Sequence, residues 1–232
     1  DRLRQLGFGT ERVEDEISRE FPDARVARMD LDTTRTRSAY ETIISDFANG
    51  NTDILVGTQM VTKGLDFGNV SAVGILNADT MLNQPDFRAY EHAFQMMSQV
   101  AGRAGRRDSQ GLVILQTRYA DSPLISQVIA NNYEAMYKTQ MTERRQFAYP
   151  PFVRIITVFA KHRSSMTIDA LARDLTIRLR SVFGTRVLGP DEPPVSRIQG
   201  LYIRRMMLKL EPAIPLTQVR TALVATRSEL LS

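Results

Sequence analysis

The sequence predicts an α/β fold: a parallel sheet flanked by helices, followed by a small α+β domain. Three observations carry this expectation. Short, continuous apolar runs alternate with helical patterns through the first part of the chain, as expected for strands covered on both faces by crossover helices. The Ala148-Tyr149-Pro150-Pro151-Phe152 break ends that alternation, because proline disfavours helix in the residue before it. The charge divides close to the same place. Residues 1–140 hold 15 basic and 19 acidic side chains, whereas residues 141–232 hold 15 and 7. We therefore expect two domains, 1–147 and 148–232, the second basic and suited to an anionic partner.

Taken in order, Thr10 begins a capped helix with an acidic front (Glu11, Glu14, Asp15, Glu16), for which Ile17 and Phe21 supply apolar positions and Pro22 a stop. Residues 25–30 read as a short strand and residues 38–48 as a helix. Asn49-Gly50-Asn51 turns the chain into the strand Asp53-Ile54-Leu55-Val56-Gly57. A β-rich run at 70–76, a long helix at 87–100 and the apolar strand 111–116 follow. Residues 122–146 read as one polar helix. Beyond the break come a strand (153–160), a helix (167–183), a turn-rich segment, a strand (202–210) and a last helix from about Leu216 to Leu230.

Composition excludes several classes. With 43% hydrophobic residues and 24% charged residues the chain is neither disordered nor a disulfide scaffold. It has no cysteine and only two histidines, His92 and His162, which excludes a thiolate or His-rich structural metal site. Neither histidine has a partner at ligand or catalytic spacing, so both read as structural. The uncharged stretches, such as residues 70–78, are far shorter than a membrane span. Only four of the 30 cations are lysine. That bias suits either genomic composition or a preference for phosphate.

Chemistry concentrates in two places. In Gln99-Val100-Ala101-Gly102-Arg103-Ala104-Gly105-Arg106, a continuing helix would put Gln99, Arg103 and Arg106 on one face. Two arginines with small residues between them can set planar cations against nucleotide phosphates and neutralise charge developing in phosphoryl transfer. The alternative is a helix C-terminus with solvated arginines. Gly57-Thr58-Gln59-Met60-Val61-Thr62-Lys63-Gly64-Leu65-Asp66-Phe67 follows an apolar strand, at the carboxyl end where parallel sheets place ligands. Thr58, Gln59, Thr62 and Lys63 offer donors to a phosphate backbone, Gly64 permits close approach, and Asp66 offers a carboxylate to a ribose hydroxyl. By itself this stretch would also serve as an ordinary polar loop.

These two stretches resemble motifs V and VI of superfamily 2 helicases. Gly9-Thr10-Glu11-Arg12-Val13-Glu14, the run from Arg28 to Arg35, Pro85-Asp86-Phe87-Arg88-Ala89 and Phe147-Ala148-Tyr149-Pro150-Pro151-Phe152 resemble, more narrowly, the bacterial primosomal protein N′ (PriA) family of replication-restart helicases. The resemblance implies a RecA-like helicase lobe 2, a C-terminal domain and a 3′→5′ ATP-dependent DNA helicase working in the bacterial cytoplasm. It assigns Gln99, Arg103 and Arg106 as catalytic, the arginines facing ATP held with Mg2+ on the other lobe. Gly64 and Asp66 become nucleotide-side positions, and Thr58, Gln59, Thr62 and Lys63 the DNA-facing loop. It supplies no mechanism for Asp30, Asp32 or Thr33, which fit a turn or lobe-surface role.

No Gly-x-x-x-x-Gly-Lys-[Ser/Thr] loop and no Asp-Glu-x-His motif occur in the sequence. The resemblance therefore implies a C-terminal piece that begins inside lobe 2, carries finger arginines without the ATP cradle, and is inactive alone. The family's zinc module would lie upstream, leaving zinc to the parent protein. Implied partners are branched or single-stranded DNA, single-stranded DNA-binding protein and other primosome proteins. Around Gly200, Arg197, Tyr202, Arg204, Arg205 and Lys209 crowd one strand. Alternation puts Tyr202 and Arg204 on one face and Arg205 with Ile203 on the other. Tyr202, Arg204 and Arg205 could hold DNA phosphates, an acidic protein tail or only solvent. Arg144 and Arg145 could line the domain junction or point to water. The methionine pairs 96–97 and 206–207 read as core filling.

Overall fold

The computed structural model describes residues 9–58, 70–102 and 111–231. The chain separates into two compact units, residues 1–82 with 92–131 and residues 83–91 with 132–232. This division falls earlier than the expected 147/148 boundary, and the second unit includes a short segment from within the first.

In the first unit, α1 (Thr10–Glu20) precedes β1 (Val26–Met29), α2 (Arg37–Ala48) and β2 (Ile54–Gly57). The cap expected at Thr10 is absent. Gly9, which has no side chain, occupies the N-cap, and the Thr10 hydroxyl donates to Asp30 instead of capping. Phe21 does not join a core; it is the C-cap and is exposed. Thr36 caps α2 by accepting from Ala39 N–H at 3.2 Å. β1 and β2 pair in parallel from Val26↔Ile54 to Met29↔Gly57. Fully buried Met29 sits under Tyr40, Ile43, Ile44 and Phe47 of α2. These recur at helical spacing, so one stripe of α2 covers the strand.

A second parallel pair joins β3 (Ala72–Ile75) to β4 (Leu112–Leu115). Between them run a short α3 (Asp79–Leu82), not expected from the sequence, and α4 (Ala89–Ala101). In α4, Ala93, Phe94, Met97 and Val100 are buried. Leu112 and Ile114 of β4 are more than half exposed, so this run is not covered on both faces by the described residues.

The single helix expected over 122–146 is two helices, α5 (Pro123–Ile129) and α6 (Tyr133–Gln146). Asn131 takes a positive φ of 47°, and Asn132 caps α6 by accepting from Ala135 N–H. Asparagine tolerates both tasks, so the chain breaks without proline or glycine.

In the second unit, β5 (Arg154–His162), α7 (Ser165–Phe183), β6 (Val187–Asp191), β7 (Arg197–Ile198), β8 (Leu201–Leu210) and α8 (Leu216–Leu231) follow α6. The sheet is antiparallel in the order β5-β8-β6, with β7 also on β8. The sequence reading missed β6 and β7, taking both for turns. Ile168, Ala172, Leu175, Leu179 and Phe183 form one stripe of α7 against Met206, Leu208 and Leu210. Each such side chain contributes about 1.5–3 kcal/mol when fully buried. Tyr202, Met206, Leu208 and Leu210 share this core face, as the alternation predicts. Met97 and Met206 are fully buried, as core-filling methionines should be.

Candidate functional site

The carboxyl ends of the parallel strands carry the first unit's polar chemistry. Thr58 is an exposed bend directly after β2. Gln59, Thr62, Lys63, Gly64 and Asp66 lie outside the described residues, as do Arg103 and Arg106. Gln99 is exposed in the last turn of α4. Gly102 N–H still donates to Ser98 at 3.0 Å, which keeps the backbone helical in hydrogen bonding up to the point where description stops. A Cβ at Gly102 would meet nothing nearer than 3.4 Å, so crowding within the described residues does not demand glycine there.

Asp30 directly follows β1 and organises the next turn. Its carboxylate accepts from the Thr10 hydroxyl at 2.6 Å and from the N–H groups of Asp32 and Thr33 at 2.9 and 3.0 Å. Its backbone N–H donates to Thr33 Oγ1, and the Thr34 hydroxyl donates to its carbonyl. Arg28 Nε stands 3.3 Å away. The Thr10 and Thr33 bonds, with help from Asp32 and Arg28 against a burial cost, hold this carboxyl at about 2. Asp30 and Thr33 thus have the turn role expected for them, and Asp32 contributes its N–H.

Asp79 repeats the device at the ends of β3 and β4. It accepts from the Thr117 hydroxyl and from Arg118 N–H at 2.9 Å, and the Thr117 bond leads in holding its carboxyl below the usual range. Gln116 Oε1 accepts from Asn77 N–H at 3.0 Å. Nothing local in the sequence marked Asp79, whose partners are 38 and 39 residues away.

In the second unit, Phe87 stacks on Tyr149 with ring centroids 5.1 Å apart. Arg144 lies over the Phe87 ring at 5.0 Å, and Lys209 over the Tyr149 ring at 4.1 Å. The result is a column of cation, two rings and cation. Arg144 also binds Glu91 at 2.6 Å, and Lys209 donates to the Phe147 carbonyl at 2.7 Å. Burial pushes the Lys209 ammonium down. Arg144 is mostly buried and not a solvated side chain; Arg145 covers Phe152 at 4.8 Å.

Arg204 and Arg205 are spoken for within the chain. Arg204 bonds Asp169 at 2.6 Å and lies 3.6 Å from Glu192, while Arg205 pairs with Asp191. Tyr202 sits under Arg197 at 4.8 Å. His162 accepts from Ser164 N–H and His92 is exposed. Among the described residues no three His, Cys, Asp or Glu side chains come together as a metal site. Nor is any described helix long and apolar enough to cross a membrane.

Residues 9–108 match the model of the helicase conserved C-terminal domain, and residues 145–231 match that of the primosomal protein N C-terminal domain. The class is therefore a RecA-like second helicase lobe followed by a primosomal C-terminal domain. The Replication restart protein PriA of Bacillus subtilis is 41% identical over 90% of this chain, which spans 26% of that protein. Its namesakes in Treponema pallidum and Chlamydia pneumoniae are 39% and 42% identical over 93% of this chain, which spans 33% and 29% of them. The chain belongs to the PriA family, and it spans about a quarter to a third of the length of these relatives.

Proposed function

We propose that this chain is the second motor lobe and C-terminal domain of an ATP-dependent 3′→5′ DNA helicase that restarts stalled replication forks in the bacterial cytoplasm. The observation that supports it most is the joint match to the two domain models in the order a PriA protein requires. The fold is compatible. β2 ends at Gly57, and the proposed DNA-facing residues Thr58, Gln59, Thr62 and Lys63 and the nucleotide-side residues Gly64 and Asp66 follow it in the sequence. α4 carries Gln99 on its last turn and leads directly to Arg103 and Arg106.

In this reading Arg103 and Arg106 stabilise phosphoryl transfer on ATP and Mg2+ held chiefly by another lobe, and the chain alone hydrolyses no ATP. The domain division at 147/148 is proposed as the boundary between motor lobe and C-terminal domain. DNA, single-stranded DNA-binding protein and other primosome proteins are the proposed partners. Within the whole protein, Arg103→Ala or Arg106→Ala is expected to lower DNA-stimulated ATPase at least 100-fold and leave DNA affinity within about twofold. Retained ATPase would overturn the assignment.

A second reading, a non-enzymatic module for fork DNA or an acidic protein tail, draws on the Arg197–Tyr202 stack beside Arg204 and Arg205. A ligand there would compete with Asp169, Asp191 and Glu192 for the arginines. Arg197→Ala should then weaken binding of a forked oligonucleotide or tail peptide without moving ATPase.

A further inference from the structure

The two edges of the antiparallel sheet are unlike. On one side of β8, β6 is five residues long and interrupted by a register shift between Leu188 and Asp191, at Gly189-Pro190. Short length, a bulge and a proline are the usual means of keeping an edge from pairing with another chain. β5, at the opposite edge, has none of these. It runs nine residues in unbroken register, from Arg154↔Leu210 to His162↔Tyr202, with no proline, and no described strand pairs with its outer side.

Beside that edge lies an open, mostly apolar cleft of about 790 Å³. Leu171 and Leu175 of α7, Ile156 and Val158 of β5 and Leu223 of α8 line it. Val224, also lining it, is 57% exposed. A further strand would lie about 4.8 Å beyond β5 and point every second side chain into this space.

The cleft's charge is one-sided. Lys161, Arg220 and Arg227 line it, all exposed, and none of them has a carboxylate partner among the described residues. Elsewhere in the same unit Arg144, Arg178, Arg186, Arg204 and Arg205 are each paired with an acid.

We propose that β5 and this cleft bind an extended protein segment as an added fifth strand, apolar at alternate positions and flanked by acidic residues. Backbone pairing along β5 supplies affinity, the cleft selects the apolar residues, and Lys161, Arg220 and Arg227 select the acids. The proposal requires no terminal carboxylate and does not depend on the motor reading.

The test uses the 232-residue chain and a labelled, C-terminally amidated decapeptide with valine or leucine at alternate central positions, threonine between them and glutamates at both ends. Anisotropy should show it binding at least tenfold more tightly than an isomer of the same composition with its apolar residues in one block. Arg220→Glu with Arg227→Glu should cost at least a further tenfold, both side chains being exposed and outside the core. Hydrogen exchange should show β5 amides gaining protection with peptide. Equal binding of the two peptides, or unchanged β5 exchange, would overturn the proposal. So would a concentration-dependent dimer lost in the double variant, which makes a second copy the occupant. Preference of the cleft for a dodecathymidylate over the peptide, lost in the same variant, would overturn it in favour of nucleic acid.

Discussion

The two units fasten their strands with opposite charges. In the first, buried carboxylates do it: Asp30 closes the turn after β1 and Asp79 ties the ends of β3 and β4 together. In the second, cations do it, with Arg144 and Lys209 at either end of the Phe87–Tyr149 stack and Arg204 and Arg205 held by acids. A carboxylate suits the first task because strand ends and turns present N–H and O–H donors. A guanidinium suits the second because it can lie flat on a ring while bonding at its edge. The net charge of either half is thus a poor measure of its surface. Part of the second unit's positive charge is internal fastening, and three exposed cations line the cleft beside β5.

The largest effect is expected where a mostly buried ion pair and a ring contact fail together. Arg144→Met removes both the ion pair with Glu91 and the cation over Phe87, and should cost about 3 kcal/mol in urea unfolding. A loss below 1 kcal/mol would mean that the second unit is not fastened by this column. Gly189→Ala comes next. Its φ is +99° and a Cβ there would stand 2.7 Å from the Arg205 carbonyl, so backbone must move. We expect a loss of about 2–3 kcal/mol, with falling hydrogen-exchange protection in β8 and none in β1. A fall in both strands would deny the units their separate stability.

How far the sequence revealed these contrasts depended on the distance between partners. Helices with a cap or a clean stripe, such as α2 and α7, were legible to within a residue or two, since their determinants lie within a few positions of one another. β6 was hidden because Gly189-Pro190 reads as a turn, while the strand exists through its pairing with β8. The α5–α6 break was hidden because asparagines, not proline, make it. The segments 85–89 and 147–152 stood out by resemblance, yet no local pattern could tell that Phe87 would rest on Tyr149. At the site, Thr58 and Gln99 occupy the strand end and helix end that their spacing implied. Asp30 was noticed without a mechanism, since its bonds combine a turn with Thr10, 20 residues away.

The first unit's carboxylate fastening is tested by Asp30→Ala, which frees three donors and should cost about 2 kcal/mol. Acid gives the same test without a change of size. The folded carboxyl is held at about 2 against an ordinary 3.8, so its contribution is complete above the ordinary value and fades as the pH falls from there through about 2. Asp30→Asn should flatten that part of the stability curve. An unchanged acid limb would assign the transition to other carboxylates.

The smallest effect separates charges that fasten from charges that only meet. Arg12 and Glu16 form a 2.8 Å pair one turn apart on α1, with side chains 67% and 49% exposed. Arg28 in the neighbouring strand is 19% exposed and has Glu11, Glu14 and Asp30 within 4 Å. Water already solvates the first pair, so Arg12→Ala should cost no more than about 0.5 kcal/mol and should lose that effect in 1 M salt. Arg28→Ala removes the shared counterion of three carboxylates and should cost several times as much, with less sensitivity to salt. If the two substitutions cost the same, burial would not be what ranks ion pairs in this unit, and the contrast between its fastened and its merely adjacent charges would fail.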